Sequence, residues 1–165
     1  AFQDLEPKIV IFLGFFRKGA VPGHLLHLVL EDLKKAGALT KNILVIPALG
    51  VHTPMTQEEM AQKLGPKNLK QVKWENHTAF DLKENHYFGT TARQTPVYLN
   101  RHLKDADLVV LLGIIEPHLW AGFGGGMKNI LPGVAYDETI GLHHGMLAEP
   151  PYRFNRVGMM PEDNS

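Results

Sequence analysis

Residues 115–144 collect the side chains of this sequence that are best suited to chemistry. His118 follows a proline directly, a glycine-rich run leads into Lys128, and the segment closes on the pair His143 and His144. Imidazole exchanges protons near neutral pH and also binds transition metals. A lysine beside a flexible glycine run can bind a phosphate group. These residue types indicate a site that combines proton transfer, an anionic ligand and a metal.

The glycine-rich run before Lys128 predicts a phosphate-binding loop. Glycine has no Cβ, so a ligand can approach the backbone closely and several N–H groups can converge on an anion. The run matches neither the dinucleotide-binding fingerprint nor the Walker motif, and the alternative is a tight structural turn. The predicted phosphate-binding residues are Gly122, Gly124, Gly125 and Gly126.

Two histidines come directly after predicted strands. His52 comes after the apolar residues 42–48, and His118 comes after the apolar residues 107–113. Open α/β sheets bind ligands beyond the carboxyl ends of their strands, so both side chains can face one ligand. Two imidazoles on opposite sides of a substrate carbon are what a racemase needs, because each can take and return a proton. The other histidines are expected to be structural or at the surface: His24, His27, His77, His86 and His102.

His144 is the candidate metal ligand. In an extended segment, adjacent side chains point to opposite faces, so at most one of His143 and His144 should reach a given site. A single histidine makes a weak metal site, and further ligands would have to come from elsewhere, for example from a cofactor. The sequence contains no cysteine, which excludes disulfides, thiolate metal sites and thiol catalysis.

The elements that must position these residues alternate between strands and helices. This order predicts an α/β fold, Rossmann-like, with a mainly parallel sheet and helices on both faces. The predicted strands are residues 8–16, 42–48, 70–76 and 107–113, with shorter extended pieces at 87–91 and 96–100 and a helical turn at 101–104. The predicted helices are residues 24–38 and 57–64. Thr56 and Glu59 form a capping-box pattern at the start of the second helix.

Composition bounds the class of protein. With 165 residues, 44% of them hydrophobic, the chain is expected to form one domain over residues 1–165. Seventeen basic residues balance seventeen acidic ones, which argues against a broad nucleic-acid or membrane surface. The apolar run at residues 9–16 is too short to span a bilayer and lacks a basic start, so a cytoplasmic location is expected.

Three runs of the sequence carry a family resemblance: GVHTPMT at 50–56, GTTARQTPVYLN at 89–100 and EPHLWAGFGGGMKNILPGVAYDETI at 116–140. They resemble the amino-terminal domain of nickel-dependent lactate racemases, from about residue 9 to residues 156–158. The resemblance implies a nickel pincer nucleotide, a pyridinium mononucleotide with two thiocarboxylate-derived arms, one of which an enzyme lysine can tether. It places the tethering lysine at Lys128, the nickel ligand at His144, and the acid/base pair at His52 and His118.

The implied activity is racemisation or epimerisation of a lactate-like 2-hydroxy acid, by proton-coupled hydride transfer through a 2-keto acid. The resemblance also implies a carboxy-terminal domain, which this sequence lacks. Where the family has an Asp-x-x-Arg signature after the first strand, this sequence has Phe16 and Gly19, so the arginine expected to hold the substrate carboxylate is missing from its position. The alternative is that Arg17 or Lys18 substitutes for it from a shifted position. The family's serine and arginine near the glycine run are Gly124 and Met127 here.

Two other functions stay open at this point. One is a module that binds the cofactor without catalysis. The other is a phosphate- or nucleotide-dependent hydrolase or transferase, which would need a magnesium-binding acid. The acids available near the loop are Glu116, Asp137 and Glu138.

Overall fold

A four-stranded parallel sheet organises the fold. The protein is described by a computed structural model that covers residues 6–14, 23–150 and 152–164. Its strands are β1 (Ile9–Gly14), β2 (Ile43–Ala48), β3 (Lys73–Trp74), β4 (Asn85–Thr90), β5 (Pro96–Asn100), β6 (Leu108–Leu112), β7 (Pro117–His118) and β8 (Gly122–Phe123). Its α-helices are α1 (Gly23–Lys35), α2 (Gln57–Leu64), α3 (Pro66–Leu69) and α4 (Asp137–Gly145). The main sheet has the order β3-β2-β1-β6.

Strand β1 lies at the centre of this sheet and is buried along its whole length. Its Ile11 pairs with Val45 of β2 on one side and with Val110 of β6 on the other, both in parallel. A strand covered on both faces needs a continuous apolar run, and this explains why the sequence predicts β1, β2 and β6 well. The predicted extension of β1 to Phe16 lies outside the described residues.

The third predicted strand, residues 70–76, is much shorter than expected. Only Lys73 and Trp74 pair with β2, as β3. The chain immediately before it forms α3, which begins with Pro66 in its first turn, where a proline costs no helical hydrogen bond.

The two faces of the sheet are covered differently. On one face, α1 contributes Leu26, Leu30 and Leu33, and α2 contributes Met60 and Leu64. Full burial of each such side chain stabilises the fold by about 1.5–3 kcal/mol.

On the other face, Val10 and Phe12 of β1 pack with Ile46 and Val134. Residues packed against this cluster include Leu103, Ala106 and Ile130, which lie in or beside 3-10 turns. The α/β class with a parallel sheet is confirmed.

Helix α2 is fixed at both ends. The predicted capping box is present: the Thr56 N–H donates to Glu59 at 2.9 Å, and the Glu59 N–H donates to the Thr56 hydroxyl at 3.2 Å. In the last turn, Lys63 is buried and its Nζ donates to the Gly14 carbonyl at 2.9 Å. This bond joins α2 to the carboxyl end of β1.

A separate hairpin, β4 and β5, holds α4 in place. The two strands pair in antiparallel fashion, as the extended pieces predicted at 87–91 and 96–100. The Thr139 hydroxyl of α4 donates to the Pro96 carbonyl at 2.9 Å and accepts the Tyr98 N–H at 3.1 Å. These bonds determine where the end of α4, with its two histidines, lies.

No helix in the described ranges combines the length and apolar character needed to cross a membrane.

Candidate functional site

A cavity of about 260 Å³ opens at the carboxyl ends of β1, β2 and β6. The chain leaves β1 for β2 on one side, whereas β6 lies on the other, so the cavity sits at the point where the strand order reverses. Ligands of open α/β sheets bind at such points. We call this space the first cavity. Its lining includes Gly14, Ala48, His52, Ile114, Glu116, His118, Gly124, Gly125, Lys128, Asn129 and His144.

The first cavity brings together most of the residues that the sequence singles out. His52, His118, Lys128 and His144 all line it, although they come from four separate parts of the chain. Of the glycines, Gly124 and Gly125 line it, whereas Gly122 and Gly126 do not. The roles of these residues stay predictions, but their proximity is a property of the fold.

His118 is held by the backbone that follows it. It pairs in the short ladder of β7 with β8, and its Nδ1 accepts the backbone N–H groups of Trp120 and Ala121, each at 3.2 Å. An Nδ1 that accepts hydrogen bonds carries no proton, so the neutral ring has its proton on Nε2. Burial lowers the pKa of His118, Lys128 and His144 lower it further, and Glu116 opposes them. The ring is therefore neutral at physiological pH.

Lys128 lies in the 3-10 turn Gly126–Asn129 and is half-buried. Burial lowers the pKa of its amine, and the nearby Glu116 carboxylate opposes the shift. A lowered pKa increases the fraction of neutral amine, which is the form that acts as a nucleophile.

The two adjacent histidines occupy the last turn of α4, so the extended segment considered for them is a helix. Their ring centroids lie 5.6 Å apart, and the His144 ring lies 5.5 Å from that of Trp120. Burial lowers the pKa of His144, and Lys128 adds to the shift. Burial likewise lowers the pKa of His143, with contributions from His144 and Lys128. A neutral imidazole is the form that binds a metal.

Across the described residues, no group of three or more histidine or carboxylate side chains is arranged to hold a metal ion.

His52 lies in the loop after β2, and its side chain is exposed. The loop is fixed at both ends: the Gly50 N–H donates to the Gly133 carbonyl at 2.8 Å, and the amide of Asn76 exchanges two hydrogen bonds with the Met55 backbone, each 2.9 Å long. His52 is thus an accessible imidazole on an anchored loop.

Asn129 is a site residue that sequence reasoning missed. It is only 5% exposed, and its Nδ2 lies 3.4 Å from the carbonyl oxygens of both Phe12 and Leu112. Its side chain therefore bridges the ends of β1 and β6 and forms part of the cavity floor. This asparagine lies within the run at 116–140, but its partners lie 117 and 17 residues away, so its bridging role is visible only in the fold.

Backbone packing requires glycine at some positions of the glycine run. Gly122 has a φ of 74°, and a Cβ there would overlap the backbone of Met159. Gly125 has a φ of 79°, and its Cβ would lie 2.6 Å from the Ile114 carbonyl oxygen. The Gly124 N–H already donates to the Glu116 carbonyl at 2.6 Å. Backbone packing thus accounts for much of the glycine pattern.

A second cavity, of about 330 Å³, adjoins the first. The two share His118, Lys128, Pro132 and His144, which form a common wall. The second cavity is also lined by Arg93, Trp120, Ala121, Leu131, His143, Met146, Leu147, Tyr152, Asn155 and Asn164. Neither Arg93 nor Tyr152 is marked by the sequence as a site residue.

Two curated proteins are similar to this chain in sequence. The lactate racemase of Thermoanaerobacterium thermosaccharolyticum is 33% identical over 145 residues, which make up 86% of this chain and 34% of that protein. The lactate racemase of Lactiplantibacillus plantarum is 32% identical over 124 residues, or 75% of this chain and 29% of that protein. The chain thus spans about a third of the length of these relatives.

Two solved structures are also similar to this chain. The structure of the lactate racemase apoprotein from Thermoanaerobacterium thermosaccharolyticum matches 98% of this chain and 38% of that chain, with a TM-score of 0.85 and 26% identity. A Thermotoga maritima protein matches 95% of this chain and 40% of that chain, with a TM-score of 0.71 and 22% identity, which bears on the fold alone. Residues 9–154 match the family described as the lactate racemase N-terminal domain, and the chain belongs to that family.

Proposed function

We propose that this chain is the cofactor-binding part of an isomerase that racemises or epimerises a lactate-like 2-hydroxy acid with a nickel pincer nucleotide. The observation that carries the proposal is the meeting of His52, His118, Lys128 and His144 around the first cavity. Membership of the lactate racemase N-terminal domain family supports the reaction class. The cofactor and the assignment of roles are the part that experiment must test.

Lys128 and His144 suit the anchoring of such a cofactor. Both line the wall that the two cavities share, so a group attached there reaches either space. Burial lowers the pKa of both, which favours a neutral amine for a covalent tether and a neutral imidazole for nickel. In this proposal the remaining nickel donors belong to the cofactor, which when bound also supplies the hydride acceptor.

His52 and His118 are proposed to handle the protons of the substrate, with different roles. The hydrogen bonds at Nδ1 of His118 leave Nε2–H as the group that meets a ligand, so this ring is suited to donate to a substrate oxygen. His52 is accessible and is proposed to take the hydroxyl proton as the α-hydride leaves. Loss of hydride leaves a planar 2-keto acid. Return of the hydride to the opposite face, together with return of the proton from His52 to the oxygen, restores the hydroxyl and inverts the centre.

The binding of the substrate carboxylate is not assigned to a residue. The family's Asp-x-x-Arg signature would fall on Phe16 and Gly19, which lie outside the described residues. The proposal therefore names a class of substrate, the 2-hydroxy acids, and leaves the side chain of the acid open.

The proposal can be tested on the full-length protein, produced in a host that makes the cofactor. We expect an adduct on Lys128 by intact mass, stoichiometric nickel, and racemisation of at least one member of a panel of chiral 2-hydroxy acids. Lys128→Ala should abolish the adduct, and Lys67→Ala on exposed α3 is the matched control.

Two results would contradict the proposal in different ways. An adduct and nickel without turnover of any acid in the panel would indicate a non-catalytic cofactor-binding module. Absence of any adduct or nickel would remove the cofactor assignment itself.

A further inference from the structure

We propose that Asn129 is a specificity-determining residue of the first cavity, whose Oδ1 accepts a hydrogen bond from a hydroxyl group at C3 of the substrate. This inference rests on the proposed function, because it takes the ligand of that cavity to be a 2-hydroxy acid. It narrows the substrate class to acids that carry a second hydroxyl group next to the first.

The amide of Asn129 has a fixed orientation. Its Nδ2 lies 3.4 Å from the carbonyl oxygens of Phe12 and Leu112, and these two acceptors account for both of its N–H groups. Two glycines keep the slot around the amide open: a Cβ at Gly14 would lie 3.2 Å from Oδ1, and a Cβ at Gly113 would lie 3.3 Å from Nδ2. Exchange of the oxygen and the nitrogen would lose both hydrogen bonds, so the oxygen stays on its side of the slot.

The Oδ1 atom of Asn129 is an acceptor that the fold leaves open to the first cavity. Within the described ranges, no group donates a hydrogen bond to it, yet it is not among the polar side-chain atoms that are both enclosed and without a partner. Only 5% of the residue is exposed, and the residue lines the first cavity, so the accessible part of Oδ1 faces that cavity. A ligand in the cavity can therefore reach this oxygen.

The position of this oxygen is held from two sides. The Lys63 amine donates to the Gly14 carbonyl at 2.9 Å and so fixes the end of β1 beneath the amide. The Gly133 N–H donates to the Lys128 carbonyl at 3.1 Å and closes the turn that carries Asn129. An acceptor held in place before binding loses little entropy when a ligand arrives, so it can distinguish ligands by a single hydroxyl group.

Hydrogen-bonding capacity restricts what Asn129 can bind. An amide oxygen accepts hydrogen bonds and never donates them, so its partner must carry an O–H or N–H group. The carboxylate of a 2-hydroxy acid is itself only an acceptor at neutral pH. The hydroxyl at C2 gives its proton to His52 in the proposed reaction. The donor must therefore be a further group, and C3 is the nearest carbon that can carry one.

Charge favours a hydroxyl over an ammonium group as this donor. Lys128 lines the same cavity, and in the proposed function it holds the pyridinium of the cofactor, so a second cation there would be repelled. A neutral hydroxyl meets no such repulsion.

The test measures the affinity of three racemic acids for the full-length protein, produced in a host that makes the cofactor: lactate, glycerate and 3-fluorolactate. Glycerate differs from lactate by one hydroxyl group at C3, and 3-fluorolactate carries at that carbon a group of similar size that cannot donate. Racemic acids are used because turnover then changes no concentration. We expect calorimetry to give glycerate about tenfold higher affinity than either other acid, the upper end of the range for a neutral hydrogen bond.

Two variants assign this preference to a residue. Asn129→Ala should reduce the preference for glycerate over lactate to about twofold or less. The ratio of the two affinities is the readout, because a general loosening of the cavity would weaken both acids alike. Asn68→Ala is the matched control and should keep the preference: Asn68 is similarly buried, its Nδ2 also donates to two backbone carbonyls, those of Gly23 and Leu64, and it lines neither cavity.

Four outcomes would overturn the inference. Glycerate bound no better than lactate, or 3-fluorolactate bound as well as glycerate, would show that no donor at C3 is recognised. An undiminished preference in Asn129→Ala would place the hydroxyl on another acceptor, such as Glu116, and an equal loss in Asn68→Ala would make the effect a general one. The series of three acids is decisive even if Asn129→Ala does not fold. None of these measurements reads the Lys128 adduct or turnover, so failure of the proposed function is observed separately.

Discussion

The Nδ1 atom of His118 accepts the backbone N–H of Trp120 at 3.2 Å. The N–H of Ala121 approaches the same atom at the same distance. To carry a proton on Nδ1, the ring would have to lose both bonds, and its lowered pKa already disfavours the doubly protonated form. His118 is therefore built as a neutral donor through Nε2, unlike the exposed His52.

This difference predicts that substitution by glutamine has different effects on activity at the two histidines. His118→Gln keeps an N–H donor near the position of Nε2, so racemisation by the loaded full-length protein should fall less than in His118→Ala. His52→Gln and His52→Ala should lose activity equally, by about 100-fold or more, because neither side chain accepts a proton. The kcat of each variant is measured at equal nickel content. Equal activity of His118→Gln and His118→Ala would contradict the donor role.

Nickel retention should separate the two neighbouring histidines of α4. His144 lines both cavities, whereas His143 lines only the second. We expect His144→Ala to lose most of its nickel on gel filtration, measured by elemental analysis, and His143→Ala to keep it. The adduct on Lys128 should persist in both, which shows that the cofactor is present. Equal losses from the two variants, or none from either, would count against His144 as the ligand.

A third prediction concerns the glycine turn before Lys128. Gly125 has positive φ and no room for a Cβ, since the Ile114 carbonyl oxygen would lie 2.6 Å away. Gly125→Ala should therefore lower the free energy of unfolding by about 1–3 kcal/mol, the usual range for strain at such a position. Gly126 also has positive φ, 53°, but a Cβ there meets no atom within 4 Å.

The comparison variant Gly126→Ala also places a side chain at positive φ, but without a steric contact. It should cost only the backbone preference, about 1 kcal/mol. Urea denaturation of both variants measures the difference. If they are equally stable, the contact with Ile114 does not constrain the turn.

The parts of the fold that the sequence predicts are those encoded locally. The apolar runs of β1, β2 and β6 and the capping box of α2 are local signals, and all appear in the structure. Helix α4 is different, because it contains Gly141 and ends at Gly145 and has almost no apolar stripe. Its position depends on distant partners, such as the bonds of Thr139 to β5.

The residues of the candidate site also fall into two groups: those that the sequence identifies and those that only the fold reveals. The resemblance to a known family names His52, His118, Lys128 and His144, and the fold brings them to one cavity. Asn129 lies within one of the runs that carry the resemblance but is not singled out there, because its importance arises only from the two strand ends that the fold places beside it. Such residues become visible only when the tertiary structure is known.

Lys63 predicts how the stability of this chain depends on alkaline pH. Burial lowers the pKa of its amine from 10.5 to about 8. Between these values the unfolded chain binds the proton more often than the folded chain, so the free energy of unfolding should rise with pH. The slope from this one group is at most about 1.4 kcal/mol per pH unit.

The control is the same measurement on variants of two lysines. Lys63→Met removes the donor that lies 2.9 Å from the Gly14 carbonyl, and it should lose the rise in stability between pH 8 and 10. Lys67→Met, at an exposed position of α3, should keep the rise. The comparison uses the slope of stability against pH, from urea denaturation at several pH values, and not the absolute stability. A slope in Lys63→Met as steep as in the unaltered chain would mean that the amine is already neutral or remains charged in the folded protein.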